Sequence, residues 1–273
     1  MGRYQEITRN IRWNYLGKET TSSLVGKSIV PVGLLPFEPI PYDGDAIPAI
    51  SMRDRGAEQY LMNIVGTAIQ AGKGKLVTCT HVVEALFQRN AKGYILSRIF
   101  RNNTIEYVPY PIVKALRYVD PRTNKVNAGV DLTVLIVPAK TTERIPYAIP
   151  SVSWGDSGEL GVGDHVFVCG YPHGTEMFKF TQSNRGIIQP TFYRGLISAI
   201  LPATKPHETR IIQVSVPSAG GMSGGAIFDP NTGKVMGMIT SCVHTNGIPQ
   251  PMSYAIPSEI IAPYVEVITF ETK

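Results

Sequence analysis

The sequence predicts an all-β protein, a sandwich or a barrel, on three observations. Glycine and proline, 26 and 21 of the 273 residues, punctuate the chain about every ten positions. The apolar runs between them are short and rich in valine, isoleucine and threonine, the residues that fit a pleated surface. Only two stretches carry a helical start and period, which leaves the core to strands.

Residues 1 to about 25 hold no clear period, and the proline-rich "LLPFEPIPYDGDAIP" follows the first apolar run, "SIVPVG". Residues 1–60 are therefore expected to form an N-terminal arm with a first strand and an ornate loop. Strands are then expected at "LMNIVGTAIQ", "GKLVTC", "GYILSRIF", "DLTVLIV", "HVFVCGY", "RGLISAI", "RIIQVSV", "KVMGMIT" and "MSYAIP". The helical stretches are "HVVEALFQR" after Thr80 and a short C-terminal helix from Pro257 to Val267, where a serine and a glutamate suit a helix start.

With 43% hydrophobic and 17% charged residues the composition is globular, and the length suffices for one large β domain or two small ones. The net charge of +5 is scattered, apart from a loose group at Arg3, Arg9, Arg12 and Lys18, so a solvated surface is expected and no nucleic-acid partner. The N-terminus lacks the apolar core of a secretory signal, and no run of about 18 apolar residues occurs. A soluble, cytoplasmic chain without a membrane partner is expected, although a signal removed ahead of Met1 would leave the same pattern. Cys79, Cys169 and Cys242 sit in apolar or small-residue runs without metal-like spacing and read as buried free thiols. No metal or cofactor is expected.

The stretch "SAGGMSGGAIF", 218–228, frames Ser223 with glycines, as a shaped loop presenting a side chain requires. A serine hydroxyl is a weak nucleophile at neutral pH and needs a histidine to take its proton and a carboxylate to orient that histidine. His81 follows the strand "KLVTCT" and precedes a helical stretch, while Asp131 opens the apolar run "DLTVLIV". The other histidines, His165, His173, His207 and His244, stand in turn-like contexts. Ser157, in "GDSGELGVGD", reads as part of a solvated structural loop.

"GTAIQAGKGKLVTCTHVVEA", "VDLTVLIV", "WGDSGELGVGDHVFVCGYPHG", "RGLISAI", "GGMSGGAIFDPNTGKVMGMIT" and "SYAIPSEII" follow one another in an order that resembles the trypsin-like serine proteases, closest to their HtrA-like branch. The resemblance covers about residues 61–262, and its central residues are spaced by 50 and 92 positions. It implies two six-stranded antiparallel β-barrels, 61–150 carrying His81 and Asp131 and 151–273 carrying Ser223, with the active site in the cleft between them. It implies Ser223 as nucleophile, His81 as base and then acid, Asp131 as the group that orients it, and the N–H groups of Gly221 and Ser223 as the oxyanion hole. The substrate would be a protein or peptide.

Two departures stand out. Met222 occupies the position where zymogen-type relatives keep an aspartate for a new N-terminal amine, so activation by N-terminal clipping is not expected; Ile64 in "NIVGT" reads as core. No C-terminal peptide-binding domain is expected after residue 262, and 175–195 stands where the HtrA-like branch carries regulatory loops. The specificity pocket implied by the resemblance is lined by Pro217 and Ser218, by Thr240, Ser241 and Cys242, and by Met252 and Ser253. None is charged, so a buried lysine or arginine would lack a partner, and Met252 narrows the slot toward small or medium aliphatic residues.

Two other readings stay open at the level of sequence. Residues 221–225 also match the G-x-S-x-G pattern of α/β-hydrolase esterases, but that fold places a helix directly after the serine, where this chain has a hairpin-like stretch. A protease fold that has lost catalysis and serves as an interaction module would keep every motif and differ only in the shape of its oxyanion loop.

Overall fold

The computed structural model describes residues 20–35, 50–51, 62–88, 92–101, 104–138, 149–174, 188–202, 209–245 and 248–268. The chain is mostly β. Helix α1 (Thr21–Lys27) leads into β1 (Ile29–Leu34), β2 (Ile50–Ser51), β3 (Asn63–Gly72) and β4 (Lys75–Thr78). Helix α2 (Thr80–Phe87) and strands β5 (Gly93–Arg101), β6 (Thr104–Pro111), β7 (Lys114–Arg117), β8 (Val119–Asp120), β9 (Lys125–Val126) and β10 (Thr133–Ile136) complete the first half. After a 3-10 turn (Ser157–Glu159), the second half contains β11 (His165–Gly170), β12 (Thr191–Leu201), β13 (Ile211–Val214), β14 (Ala226–Phe228), β15 (Val235–Thr245), β16 (Ile248–Pro257) and helix α3 (Ser258–Val267).

The second half forms a closed six-stranded barrel in the order β11-β12-β13-β16-β15-β14, as expected. The first half departs from the expected six-stranded barrel. It is an eight-stranded sheet, β2-β6-β5-β1-β3-β4-β10-β7, curved as a half-barrel whose edges are not paired among the described residues. Closure needs the two edges to bond to each other. Here β6 gives Glu106 and Tyr107 to β2, and the opposite edge, β7, is only four residues long. Ile50–Ser51, and with them β1, were legible only as arm and first strand or loop, because β1 pairs far along the chain with β3 and β5.

Helix α2 packs Val82, Val83 and Leu86 inward. It lies so close to β3 that a Cβ on Gly66 would stand 2.5 Å from Val82 Cγ1, so only glycine fits beneath it. Ile64 is buried in β3, as expected of core rather than of a free terminus. The C-terminal helix ties the halves together. Lys75 Nζ donates to the carbonyls of Val265 at 3.1 Å and Ile268 at 2.8 Å, where a cation meets the unpaired carbonyls of a helix end. Tyr264 adds a hydroxyl donated to the Arg117 carbonyl and an edge-on contact with Tyr118 at 5.0 Å.

Ser157 is buried, unlike the solvated residue its neighbours suggested. Its hydroxyl donates to Glu259 at 3.1 Å, and the same carboxylate holds Arg210 from two sides at 2.8 and 2.7 Å. His165 opens β11 and His244 lies in β15, so neither stands in a turn; His173 does, with φ of 58°. His207 and residues 175–187 lie outside the described residues.

Candidate active site

The first turn of α2 and the approach to β10 set two side chains face to face. Asp131 Oδ1 accepts the His81 main-chain N–H at 3.1 Å, and Oδ2 lies 2.7 Å from His81 Nδ1. An ionised carboxylate only accepts, so the imidazole proton sits on Nδ1 and Nε2 keeps its lone pair. A third group holds the same carboxylate: Thr240, from β15 of the second barrel, donates its hydroxyl to Oδ2 at 2.5 Å. The backbones on either side are pinned by a Thr80–Thr133 hydroxyl pair at 2.9 Å.

These contacts shift both titrations. The hydrogen bond to Asp131 raises the His81 pKa above its ordinary value, against a smaller opposing effect of burial. Burial pushes the Asp131 carboxyl up, but the bonds from His81 and Thr240 together outweigh it and leave the group below its ordinary range. At neutral pH Asp131 is therefore a fixed negative charge.

Ser223 belongs to the second barrel, between buried Met222 and the strand β14. Its hydroxyl donates to the Thr240 carbonyl at 3.3 Å, and among the described residues it makes no bond to His81 Nε2. The preceding residues form a four-residue turn closed by Met222 N–H to the Ala219 carbonyl at 3.0 Å, with Gly221 at φ of 93°. Positive φ at the third position marks a type II turn and requires glycine. Met222 anchors the turn in the second barrel's core with Val166, Val168 and Ile227. The N–H groups of Gly221 and Ser223, two positions apart, have no hydrogen-bond partner among the described residues. Paired donors left open beside a hydroxyl form a ready receptor for a developing negative oxygen.

The residues expected to line a pocket are distributed as follows. Ser218 is buried, Pro217 and Ser241 are exposed, and Met252 is half-buried. Ser253 is buried and donates to the Val216 carbonyl at 2.8 Å. Ser241 and Cys242 in β15 pair with Tyr254 and Ser253 in β16, which sets these positions side by side. The Cys242 side chain lies outside the description; Cys79 and Cys169 are buried free thiols, as expected. Thr240, also expected in the pocket wall, gives its hydroxyl to Asp131, a partner the sequence did not signal.

The ligand atoms of Cys79, His81 and Asp131 lie within 4.8 Å of one another, close enough to consider a metal. The chemistry does not favour one. Burial, and then the Asp131 charge, push the Cys79 thiol well up, so it stays protonated, and its Sγ bonds the Ile239 carbonyl at 3.2 Å. A cation would also have to displace the His81–Asp131 bond.

The trypsin-like peptidase domain model matches residues 66–238, well over half of the chain and a span that includes His81, Asp131 and Ser223. The chain belongs to the trypsin-like peptidase family. Among curated relatives it is 30% identical over 143 residues to a periplasmic serine endoprotease, DegP-like, of Pseudomonas putida, covering 52% of this chain and 24% of that one. It is 28% identical over 138 residues to the serine protease Do-like HtrB of Bacillus subtilis, covering 50% and 27%. The chain thus spans about a quarter of the length of either relative. Solved structures agree on the fold. The HtrA-type protease AlgW with a decapeptide superposes with a TM-score of 0.57 at 20% identity, covering 90% of this chain and 65% of that one. The inactive form of a serine-to-alanine mutant of Rv3671c from M. tuberculosis gives 0.52 at 16%, covering 91% and 90%. The closed barrel and the half-barrel are consistent with the trypsin-like fold. Among the described residues no helix is long and apolar enough to cross a membrane.

Proposed function

We propose that this trypsin-like peptidase domain is a serine endopeptidase working in the cleft where the half-barrel meets the closed barrel. The observation that carries the reading is that Thr240 joins the two parts: its hydroxyl donates to the Asp131 that orients the imidazole, and its carbonyl accepts the Ser223 hydroxyl beside the open pair of N–H donors. For the reaction, Ser223 Oγ exchanges the Thr240 carbonyl for His81 Nε2 as its acceptor. His81 takes the hydroxyl proton as Oγ bonds the scissile carbonyl carbon, and the carbonyl oxygen gains the negative charge that Gly221 and Ser223 N–H receive. His81 then gives its proton to the leaving amine as the C–N bond breaks, which leaves an acyl-serine. Water, deprotonated by His81, releases the acid and restores the hydroxyl.

The uncharged walls Pro217, Ser218, Thr240, Ser241, Cys242 and Met252 favour a small or medium aliphatic residue before the cut and disfavour lysine and arginine. A library of peptides profiled for cleavage sites tests this; dominant cutting after basic residues would mean that other residues form the pocket.

A fluorophosphonate probe should label the wild-type chain at one site and not label Ser223→Ala. Casein hydrolysis should vanish with the label. Equal labelling or hydrolysis in both forms would end the peptidase reading; absence of both from the wild type would favour the interaction-module reading instead.

The acid limb of kcat/KM should lie above the ordinary histidine value of 6.5, because the base must be neutral and Asp131 favours its protonated form. The same shift has a stability counterpart. A raised native pKa stabilises the fold fully below the unfolded value, and that contribution is lost as pH rises through the native one. A limb at or below the ordinary value would show that another group is titrating.

A further inference from the structure

The N-terminal ion pair of zymogen-type relatives has no counterpart at Met222, so something else must hold the 219–222 turn in the form that points the Gly221 N–H into the site. A type II turn and its type I alternative differ by a flip of the central peptide, Gly220–Gly221. The flip would move the Gly221 N–H away and bring the Gly220 carbonyl oxygen toward the position it left. With glycine at both central positions neither form is sterically barred, so the backbone alone leaves the choice open.

One side chain grips the turn. Thr67, fully buried in β3 of the half-barrel, donates its hydroxyl to the Gly221 carbonyl at 2.7 Å and accepts the Tyr171 N–H at 3.1 Å. Its main-chain N–H donates to the Ser223 carbonyl at 2.8 Å. Thr67 thus bonds the carbonyls immediately before and after Met222. Its own carbonyl accepts the Thr78 hydroxyl at 2.7 Å, which fixes β3 at that point. A Cβ on Gly224 would run into that same carbonyl, so the loop after the serine lies against Thr67 as closely as backbone allows.

We propose that Thr67 is a positioning residue for the oxyanion hole: its hydroxyl, bridging Gly221 C=O and Tyr171 N–H, holds the turn in its donor-inward form and takes the place of the ion pair. The half-barrel thereby sets the charge-receiving geometry of the closed barrel. The Thr67 hydroxyl touches neither substrate nor the reacting atoms and acts through the main chain of Gly221 and Tyr171. This inference rests on the peptidase reading of the same site, so its test includes a measurement that needs no turnover.

In Thr67→Val the branched volume stays and the donor is lost, leaving the Gly221 carbonyl without its bond. Peptide hydrolysis should show kcat lower by about ten- to a hundredfold with KM changed by less than about threefold, because the lost stabilisation is realised in the transition state. The affinity of a peptidyl boronate, whose tetrahedral adduct places an oxygen in the hole, should fall by the same factor. Backbone hydrogen exchange across 219–225, followed by mass spectrometry, should quicken at least about tenfold, with β11 and β15 unchanged.

Thr67→Ser, which restores a hydroxyl, should return every readout to within about threefold of wild type, while Thr67→Cys, a weak donor of similar size, should stay at least about tenfold down in kcat. This pair carries the test if Thr67→Val does not fold. A kcat and boronate affinity in Thr67→Val within threefold of wild type would overturn the proposal, as would Thr67→Ser and Thr67→Cys proving equally active. Unchanged exchange across 219–225 in Thr67→Val or Thr67→Cys would overturn it even in a chain without peptidase activity. Absence of turnover in the wild type, with exchange quickened as expected, would refute the peptidase reading and leave the grip standing.

Discussion

Asp131→Asn should leave a folded protein whose turnover is lower by about four decades, the loss found when the aspartate of such a triad becomes an amide. The contacts explain why one atom matters so much. Asp131 receives three donors: the His81 main-chain N–H on Oδ1, and both His81 Nδ1–H and the Thr240 hydroxyl on Oδ2. Asparagine offers one acceptor oxygen. If it faces the His81 main chain, the amide N–H group meets Nδ1, which must then accept, and the imidazole proton moves to Nε2, where a lone pair is needed. If the amide flips, its N–H group opposes the His81 main-chain N–H. The flipped form keeps the tautomer but sets two donors against each other, so the first arrangement is favoured, and it removes the base without disturbing the buried strands around it. Thermal unfolding should stay close to that of the wild type, and the acid limb should move down because the group that raises the His81 pKa is gone. A loss below about tenfold in kcat would assign the orienting role to another carboxylate.

Much of this site was legible in the sequence because its parts are local. His81 follows a strand and opens a helix, Asp131 precedes an apolar run, and Ser223 sits among glycines; each signature lies within one short stretch. The closed barrel was legible because most of its strands are short apolar runs bounded by glycine or proline, although long connections join β11 to β12 and β13 to β14. The half-barrel was not. Strand β1 joins it by pairing Ile29–Leu34 with β3 and β5, and the two-residue β2 adds at its far edge. No local period reports such pairings.

The hydroxyl partners of Thr240 and Thr67 were missed for the same physical reason. A buried threonine in a β run reads as strand former and core filler, and its hydroxyl gives no sign of which partner it has found. Thr240 reaches Asp131 across 109 residues and Thr67 reaches Gly221 across 154. Both bonds run between the two halves. What the sequence could not show was therefore the coupling: each half completes geometry that the other displays.

Gly221→Ala should cost about two to three decades in kcat, the range associated with loss of one oxyanion-hole donor. At φ of 93° an alanine is strained, and its Cβ would run into the Tyr171 carbonyl oxygen and stand 2.8 Å from the Gly174 nitrogen. These neighbours are backbone and cannot move aside as a side-chain tip would. Turning the Gly220–Gly221 peptide over relieves the strain, because the third position of a type I turn has negative φ that alanine adopts freely. The cost is functional. The N–H leaves the site, and the Gly220 carbonyl oxygen presents like charge to the developing oxyanion. The boronate should lose affinity in proportion to kcat, whereas KM for a peptide should change little. Gly220→Ala is the matching control, since a Cβ there meets nothing within 4 Å and the residue does not have positive φ. It should retain both boronate affinity and stability. If Gly220→Ala and Gly221→Ala lose activity equally, the turn is being loosened as a whole and its two central residues have no separate roles; if Gly221→Ala stays within threefold of wild type, its N–H does not receive the charge.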